Sequence, residues 1–94
     1  MSKNPAEKRD LEIQAEWLRA MAHPLRLQML RGLSQSPCNV GHVWQALGIS
    51  QPLASQHLNR MRRAGLIVGE RRGQEICYRL ADPRIMKILN LLEK

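Results

Sequence analysis

The stretch Asn39–Gly65, NVGHVWQALGISQPLASQHLNRMRRAG, decides the fold because its pattern predicts two helices joined by a tight turn. The first helix has one apolar face, made of Val40, Val43, Trp44 and Leu47. Gly48 follows at the position where glycine commonly ends a helix. Ser50 can cap the second helix, and Pro52 is tolerated there because first-turn amides have no intrahelical acceptor.

The second helix of this stretch has a buried face and a polar face. Apolar residues at spacings of four and three predict the buried face: Ala54, Leu58 and Met61. The opposite face carries amides, hydroxyls and guanidiniums: Gln51, Ser55, Gln56, Asn59, Arg62 and Arg63. Amides and hydroxyls can bind base edges in the DNA major groove, while guanidiniums bind phosphates. The stretch therefore predicts a helix-turn-helix whose second helix enters the major groove, with Ser50 at its start.

Positive charge is concentrated around this stretch. The 94 residues contain 15 Lys+Arg and 8 Asp+Glu, which gives a net charge of +7. Between residues 50 and 80 there are two acids, Glu70 and Glu75, and six arginines: Arg60, Arg62, Arg63, Arg71, Arg72 and Arg79. This third of the chain thus holds +4 of the total. Such a region is typical of a nucleic-acid contact; the alternative is a solvated basic surface without a partner.

Two amphipathic helices are predicted before the helix-turn-helix. The first runs from Pro5 to about Ala22, and Pro24 starts the next, which extends to Leu33, because proline suits the first helical position. The apolar face of the first helix consists of Leu11, Ile13, Ala15, Trp17, Leu18 and Met21. This face is too broad for one small neighbour, so we expect part of it to contact a second subunit.

After Gly65 the pattern changes from helical to extended. Two short runs, Leu66–Glu70 and Glu75–Leu80, flank a turn at residues 71–74, RRGQ. The second run, EICYRL, alternates with the period of two that is typical of a half-buried strand. Residues 66–80 are therefore predicted to form a β-hairpin wing whose cationic tip contacts DNA through Arg71, Arg72 and Gln74.

A last helix is predicted over residues 83–93, capped by Asp82, with an apolar stripe made of Ile85, Ile88, Leu89 and Leu92. Because so apolar a stripe must be buried, we expect helices 5–22 and 83–93 to form a symmetric homodimer contact. The prediction is a single domain over residues 1–94, mainly α with a small β-hairpin: a winged helix-turn-helix.

With these elements in order, the chain resembles bacterial repressors of the ArsR/SmtB family. Three stretches carry the resemblance: Ala20–Leu30 (AMAHPLRLQML), Leu47–Leu58 (LGISQPLASQHL) and Arg71–Leu80 (RRGQEICYRL). The resemblance implies a homodimer that binds a palindromic double-stranded DNA operator, represses transcription and is released by an inducer.

The chain lacks ligands at both metal sites that are common in this family. One family motif has cysteines where this chain has Asn39 and Gly41, and an aspartate where it has His42. The other is an Asp-x-His pair on the last helix; Asp82 matches it, but Arg84 takes the histidine position and the chain does not reach the remaining ligands. We therefore expect no metal and no cofactor, and the inducer stays unidentified.

Two cysteines and three histidines leave alternatives open. Cys38 and His42 are four residues apart, as metal ligands on one helix can be, but no third ligand lies nearby. Cys38 and Cys77 are either a thiol sensor, as in family members that detect oxidants or reactive sulfur, or two unrelated residues, one in a loop and one on the outer face of the wing. We favour the second interpretation. His23 is expected at the junction of the first two helices, and His57 on the flank of the recognition helix.

Other classes of protein fit the sequence poorly. It contains no paired carboxylates, nucleophile elbow or glycine-rich phosphate loop, so we expect no enzyme. No apolar run or leader suggests a membrane or secretion, so we expect a cytoplasmic protein with thiol cysteines. A winged helix can also serve as a protein-interaction module. That function predicts apolar or aromatic anchors on the second helix, where this chain has polar residues.

Overall fold

The computed structural model describes residues 5–38 and 40–93, and the side chains of residues 7–38 and 44–93. Over these residues the elements follow in the order α1 (Pro5–Met21), α2 (Pro24–Gln35), α3 (Val40–Leu47), α4 (Gln51–Arg63), β1 (Ile67–Arg72), β2 (Glu75–Leu80) and α5 (Pro83–Leu92). The predicted helix, strand and wing order is confirmed. Helix α2 continues two residues beyond the predicted Leu33. The predicted roles of Val40 and Val43 lie outside the described side chains.

Local capping explains where three helices begin. His23, Ser50 and Asp82 precede α2, α4 and α5, and each side chain accepts a hydrogen bond from a first-turn amide. Proline follows in the first turn in all three cases, where it sacrifices no intrahelical hydrogen bond. The starts of these three helices can therefore be predicted from the sequence.

The core lies where α1, α2, α4, β1 and α5 meet. Its fully buried large side chains are Met29, Leu30, Leu33, Met61, Leu66, Ile67, Ile85 and Leu89. Trp44 and Leu47 of α3 pack against its edge. Because α4 and β1 contribute to the same core, helix α4 and the wing are held by one packed cluster.

The wing is an antiparallel pair in which Ile67 lies opposite Leu80 and Arg72 opposite Glu75. The turn is therefore the pair Gly73-Gln74, and Gly73 has the positive φ, 64°, that such short turns require. The predicted four-residue turn was too long. Arg71 belongs to β1 because cross-strand hydrogen bonding continues to the end of the hairpin.

The first and last helices bury one side and expose another. Ile85 and Leu89 of α5 enter the core, whereas Leu92, predicted on the same stripe, is 58% exposed. Other large apolar side chains exposed on these helices are Leu11, Ile13, Leu18, Met86 and Leu91. Within the described residues, no helix combines the length and the apolar character needed to cross a lipid bilayer.

Candidate nucleic-acid interface

Helix α4 is buried on one side and exposes polar side chains on the other. Ala54, Leu58 and Met61 are buried as predicted. The opposite side chains predicted to contact DNA are all exposed: Ser50, Gln51, Ser55, Gln56, Asn59, Arg62 and Arg63. Ser50 also caps the helix, since its Oγ accepts a hydrogen bond from the Leu53 amide at 3.3 Å. The arrangement places donors and acceptors on a rigid rod of the width that the major groove admits.

The wing continues this surface directly from the end of α4. The Leu66 amide donates to the Met61 carbonyl at 3.0 Å, and Gly65 supplies the positive φ, 84°, that redirects the chain into β1. The predicted tip residues Arg71, Arg72 and Gln74 are exposed. Arg72 lies 3.6 Å from Glu70, but both side chains are more than half exposed, so this ion pair holds the guanidinium only weakly.

One arginine at the edge of this surface, Arg60, directs its guanidinium away from it. The Arg60 guanidinium lies 2.5 Å from Glu16 of α1, which also pairs with Arg19 at 3.1 Å. The hydrogen bonds from Arg60 and Arg19 lower the pKa of the Glu16 carboxyl. Counting charge along the sequence included Arg60 in the basic region expected to contact nucleic acid, because a partner 44 positions away leaves no local signal.

His57 lies on the buried side of α4, not on the flank of the helix as predicted. Its side chain is buried; Arg26 Nη1 lies 3.3 Å from its Nδ1, and the His23 ring centroid lies 4.6 Å from its own. Because arginine can only donate, His57 Nδ1 must be the acceptor. Burial lowers the pKa of His57, and the charges of His23 and Arg26 lower it further. His23 lies at the α1–α2 junction, as predicted.

The depressed pKa of His57 makes stability depend on pH. As the pH falls through the ordinary histidine value of 6.5, the unfolded chain binds a proton before the folded chain does. We therefore expect the free energy of unfolding to decrease between about pH 7 and about pH 5, above the range in which carboxylates titrate. Urea unfolding at each pH measures it. His57→Gln, which keeps an acceptor for Arg26, should flatten the profile, and an unchanged profile would contradict the assignment.

The prediction that Cys38 and Cys77 are unrelated residues is wrong. Cys38 and Cys77 form a disulfide, with Cα atoms 4.2 Å apart, and Cys77 is buried, not on the outer face of the wing. The Cys38 amide donates to the Tyr78 carbonyl at 3.0 Å, and Cys38 has a positive φ of 72°, uncommon for a residue with a Cβ. The loop before α3 is thereby attached to strand β2, an association that the period-two pattern could not reveal.

The two residues at the positions of the Asp-x-His metal motif, Asp82 and Arg84, form an ion pair. The Arg84 guanidinium donates to both carboxylate oxygens of Asp82, at 3.1 and 3.0 Å, and its Cζ lies 5.1 Å from the Trp17 ring centroid. Among the described residues, no group of three or more potential ligands could hold a metal ion. The Cys38–His42 alternative involves a side chain outside the described residues.

Comparisons with known proteins agree with this architecture. Residues 23–68 match the family model described as bacterial regulatory protein, arsR family. The chain is 37% identical to the transcriptional repressor PagR of Bacillus anthracis, whose crystal structure superposes with a TM-score of 0.81, covering 92% of this chain and 99% of that one. The homodimeric winged helix-turn-helix DNA-binding domain of a possible ArsR-family regulator from Mycobacterium bovis also superposes with a TM-score of 0.81, at 26% identity, covering 98% and 85%. The predicted fold class is confirmed.

Among curated relatives, the chain is 40% identical over 85 residues to the HTH-type transcriptional repressor SmtB of Mycobacterium tuberculosis. The match covers 90% of this chain and 63% of that repressor. The chain thus spans under two thirds of the length of this relative.

Proposed function

Since the chain belongs to the ArsR family of bacterial regulatory proteins, we propose that it is a sequence-specific DNA-binding transcriptional repressor. In this proposal residues 1–94 form one domain that binds a palindromic double-stranded operator as a homodimer in the cytoplasm, without catalytic activity. Two of the named relatives, SmtB and PagR, are transcriptional repressors, which supports this function over a protein-interaction module.

The observation that carries the proposal is that α4 is buried on one side and exposes polar side chains on the other. Gln51, Ser55, Gln56 and Asn59 supply the hydrogen-bonding groups that distinguish base pairs in the major groove. Arg62 and Arg63 follow at the end of the helix, where they suit flanking phosphates. A protein-docking helix would present apolar or aromatic anchors there.

Base readout is tested by Gln56→Ala. The substitution should weaken binding to the operator by about 1–3 kcal/mol, because it removes hydrogen bonds to a base edge, and should change binding to random DNA little. Fluorescence anisotropy with both duplexes, the operator first selected from a random library by the wild-type protein, measures the difference. An equal loss on both duplexes would remove Gln56 from sequence readout.

Arg63→Ala is the matched control for that experiment. A guanidinium bound to phosphate carries no sequence information, so its removal should weaken binding to both duplexes. The slope of log affinity against log salt should become shallower by about one for each phosphate that is no longer neutralised. Arg72→Ala at the wing should behave in the same way if the tip binds phosphate.

The homodimer is proposed to form through α1 and α5. Together they expose five large apolar side chains at more than half of their surface: Leu11, Ile13, Leu18, Leu91 and Leu92. Side chains of this kind are unfavourable in water and pair readily with a second copy across a two-fold axis. Both helices also pack on the core that carries α4, so the interface would set the spacing of two recognition helices.

The thiol pair is the proposed site of regulation. Cys38 lies just before the helix-turn-helix and Cys77 lies in the wing, so a bond between them connects two parts of the proposed DNA-binding surface. In a reducing compartment the thiols stay free, and an oxidant would join them. We propose that this change weakens operator binding. Zinc, cadmium and arsenite are not expected to act as inducers.

A further inference from the structure

Glu16 connects the helix proposed to form the dimer interface with the helix proposed to read DNA. Its carboxylate accepts hydrogen bonds from Arg19 on α1 and from Arg60 on α4. The Glu16 and Arg60 side chains are 36% and 31% exposed, so the pair lies at the surface but is partly shielded. Among the described residues, no other ion pair joins α1 to α4.

Arg60 occupies the border between the two faces of α4. It lies four residues after Gln56 and three before Arg63, so its Cα is a neighbour of both on the helix surface. Arginine side chains are long and flexible enough to extend from such a border in either direction. In this structure the guanidinium is directed toward α1.

We propose that Glu16 is a positioning residue that holds Arg60 away from DNA phosphates and so limits sequence-independent binding. The inference rests on the DNA-binding face proposed above for α4. A guanidinium whose charge is paired with a carboxylate does not at the same time neutralise a phosphate. The affinity gained by counterion release depends only on the number of phosphates that are neutralised. The arginines not directed to α1, Arg62 and Arg63, remain for the duplex.

The restraint matters because sequence-independent binding competes with the operator. Each additional phosphate that is neutralised strengthens binding to any duplex, and a genome offers an enormous excess of such sites. If the Arg60 guanidinium stayed free at the edge of α4, it would therefore strengthen binding to DNA outside the operator. Glu16 supplies that restraint from a different helix, α1.

The test measures the salt dependence of binding to a random-sequence duplex for the full chain carrying Glu16→Gln. If Arg60 is released in both protomers, the slope of log affinity against log salt should steepen by roughly two for the dimer. Relative to the wild type, affinity should then rise by about tenfold more at 50 mM than at 200 mM salt. Glu16→Ala, which preserves helix propensity, should behave alike, and circular dichroism confirms that each variant is folded.

Glu12→Gln is the matched control, because it removes the same charge from the same helix one turn earlier, at an exposed residue. Arg60→Met should leave the slope unchanged in the wild-type background and return it to the wild-type value in the Glu16→Gln background. Equal slopes for Glu16→Gln and Glu12→Gln, or a shallower slope for Arg60→Met alone, would overturn the inference. A wild-type protein that binds neither random nor selected DNA would overturn the proposed function as well.

Discussion

Replacing Leu92 with aspartate should convert the protein to monomers and lower operator affinity by about 100-fold to 10,000-fold. A palindromic operator is bound by two recognition helices at once, and the second binding event gains an effective concentration only if the protomers are joined. Leu92 is 58% exposed on α5, on the stripe whose buried members Ile85 and Leu89 hold the helix to the core. A carboxylate there opposes association while leaving the packing of those two residues intact.

Sedimentation velocity measures the assembly, and anisotropy on the selected operator measures the affinity. Gln35→Asp is the control: it adds the same charge at an exposed position on α2, outside the proposed dimer and DNA surfaces. It should stay dimeric and bind normally, apart from a small charge effect. A wild-type monomer at micromolar concentration, or a Leu92→Asp dimer of normal affinity, would contradict the proposed interface.

Reducing the Cys38–Cys77 bond should lower the free energy of unfolding by about 3–4 kcal/mol, the largest stability change expected here. The bond closes a loop across a sequence separation of 39 residues that contains α3, α4 and β1, and cross-linking such a loop restricts the unfolded chain. Urea unfolding with and without a phosphine reductant measures the difference. The Cys38→Ser and Cys77→Ser variants should not respond to the reductant. Coincident wild-type curves would contradict a stabilising bond.

The same samples test the proposed regulation of DNA binding. Oxidant or persulfide treatment should weaken operator binding by the wild type and leave Cys38→Ser unaffected, because the modified thiol lies beside the helix-turn-helix. Mass spectrometry assigns the modification to each cysteine. Identical release curves for the wild type and both serine variants would exclude thiol sensing while leaving the proposed DNA-binding function standing.

The sequence alone was sufficient for the order and type of the elements. Helices and strands follow from local periodicity, and their ends follow from single residues such as Ser50, Gly65 and Asp82, whose effects act within a few positions. The exposed face of α4 was predictable for the same reason: burial of Ala54, Leu58 and Met61 leaves the remaining positions outside. Proline in the first turns and arginines in the last turn of α4 are likewise local features.

Only the tertiary structure decided how distant side chains pair. Arg60 is directed toward Glu16, and His57 lies against His23 and Arg26; neither pairing was predicted. Cys38 is bonded to Cys77, a pairing that the sequence offered only as the less favoured alternative. A period of 3.6 or 2 indicates which face of an element is buried but not which neighbour covers it. Such partners depend on how α1, α2 and the wing pack around α4. That packing is a property of the whole core, which no short window of sequence contains.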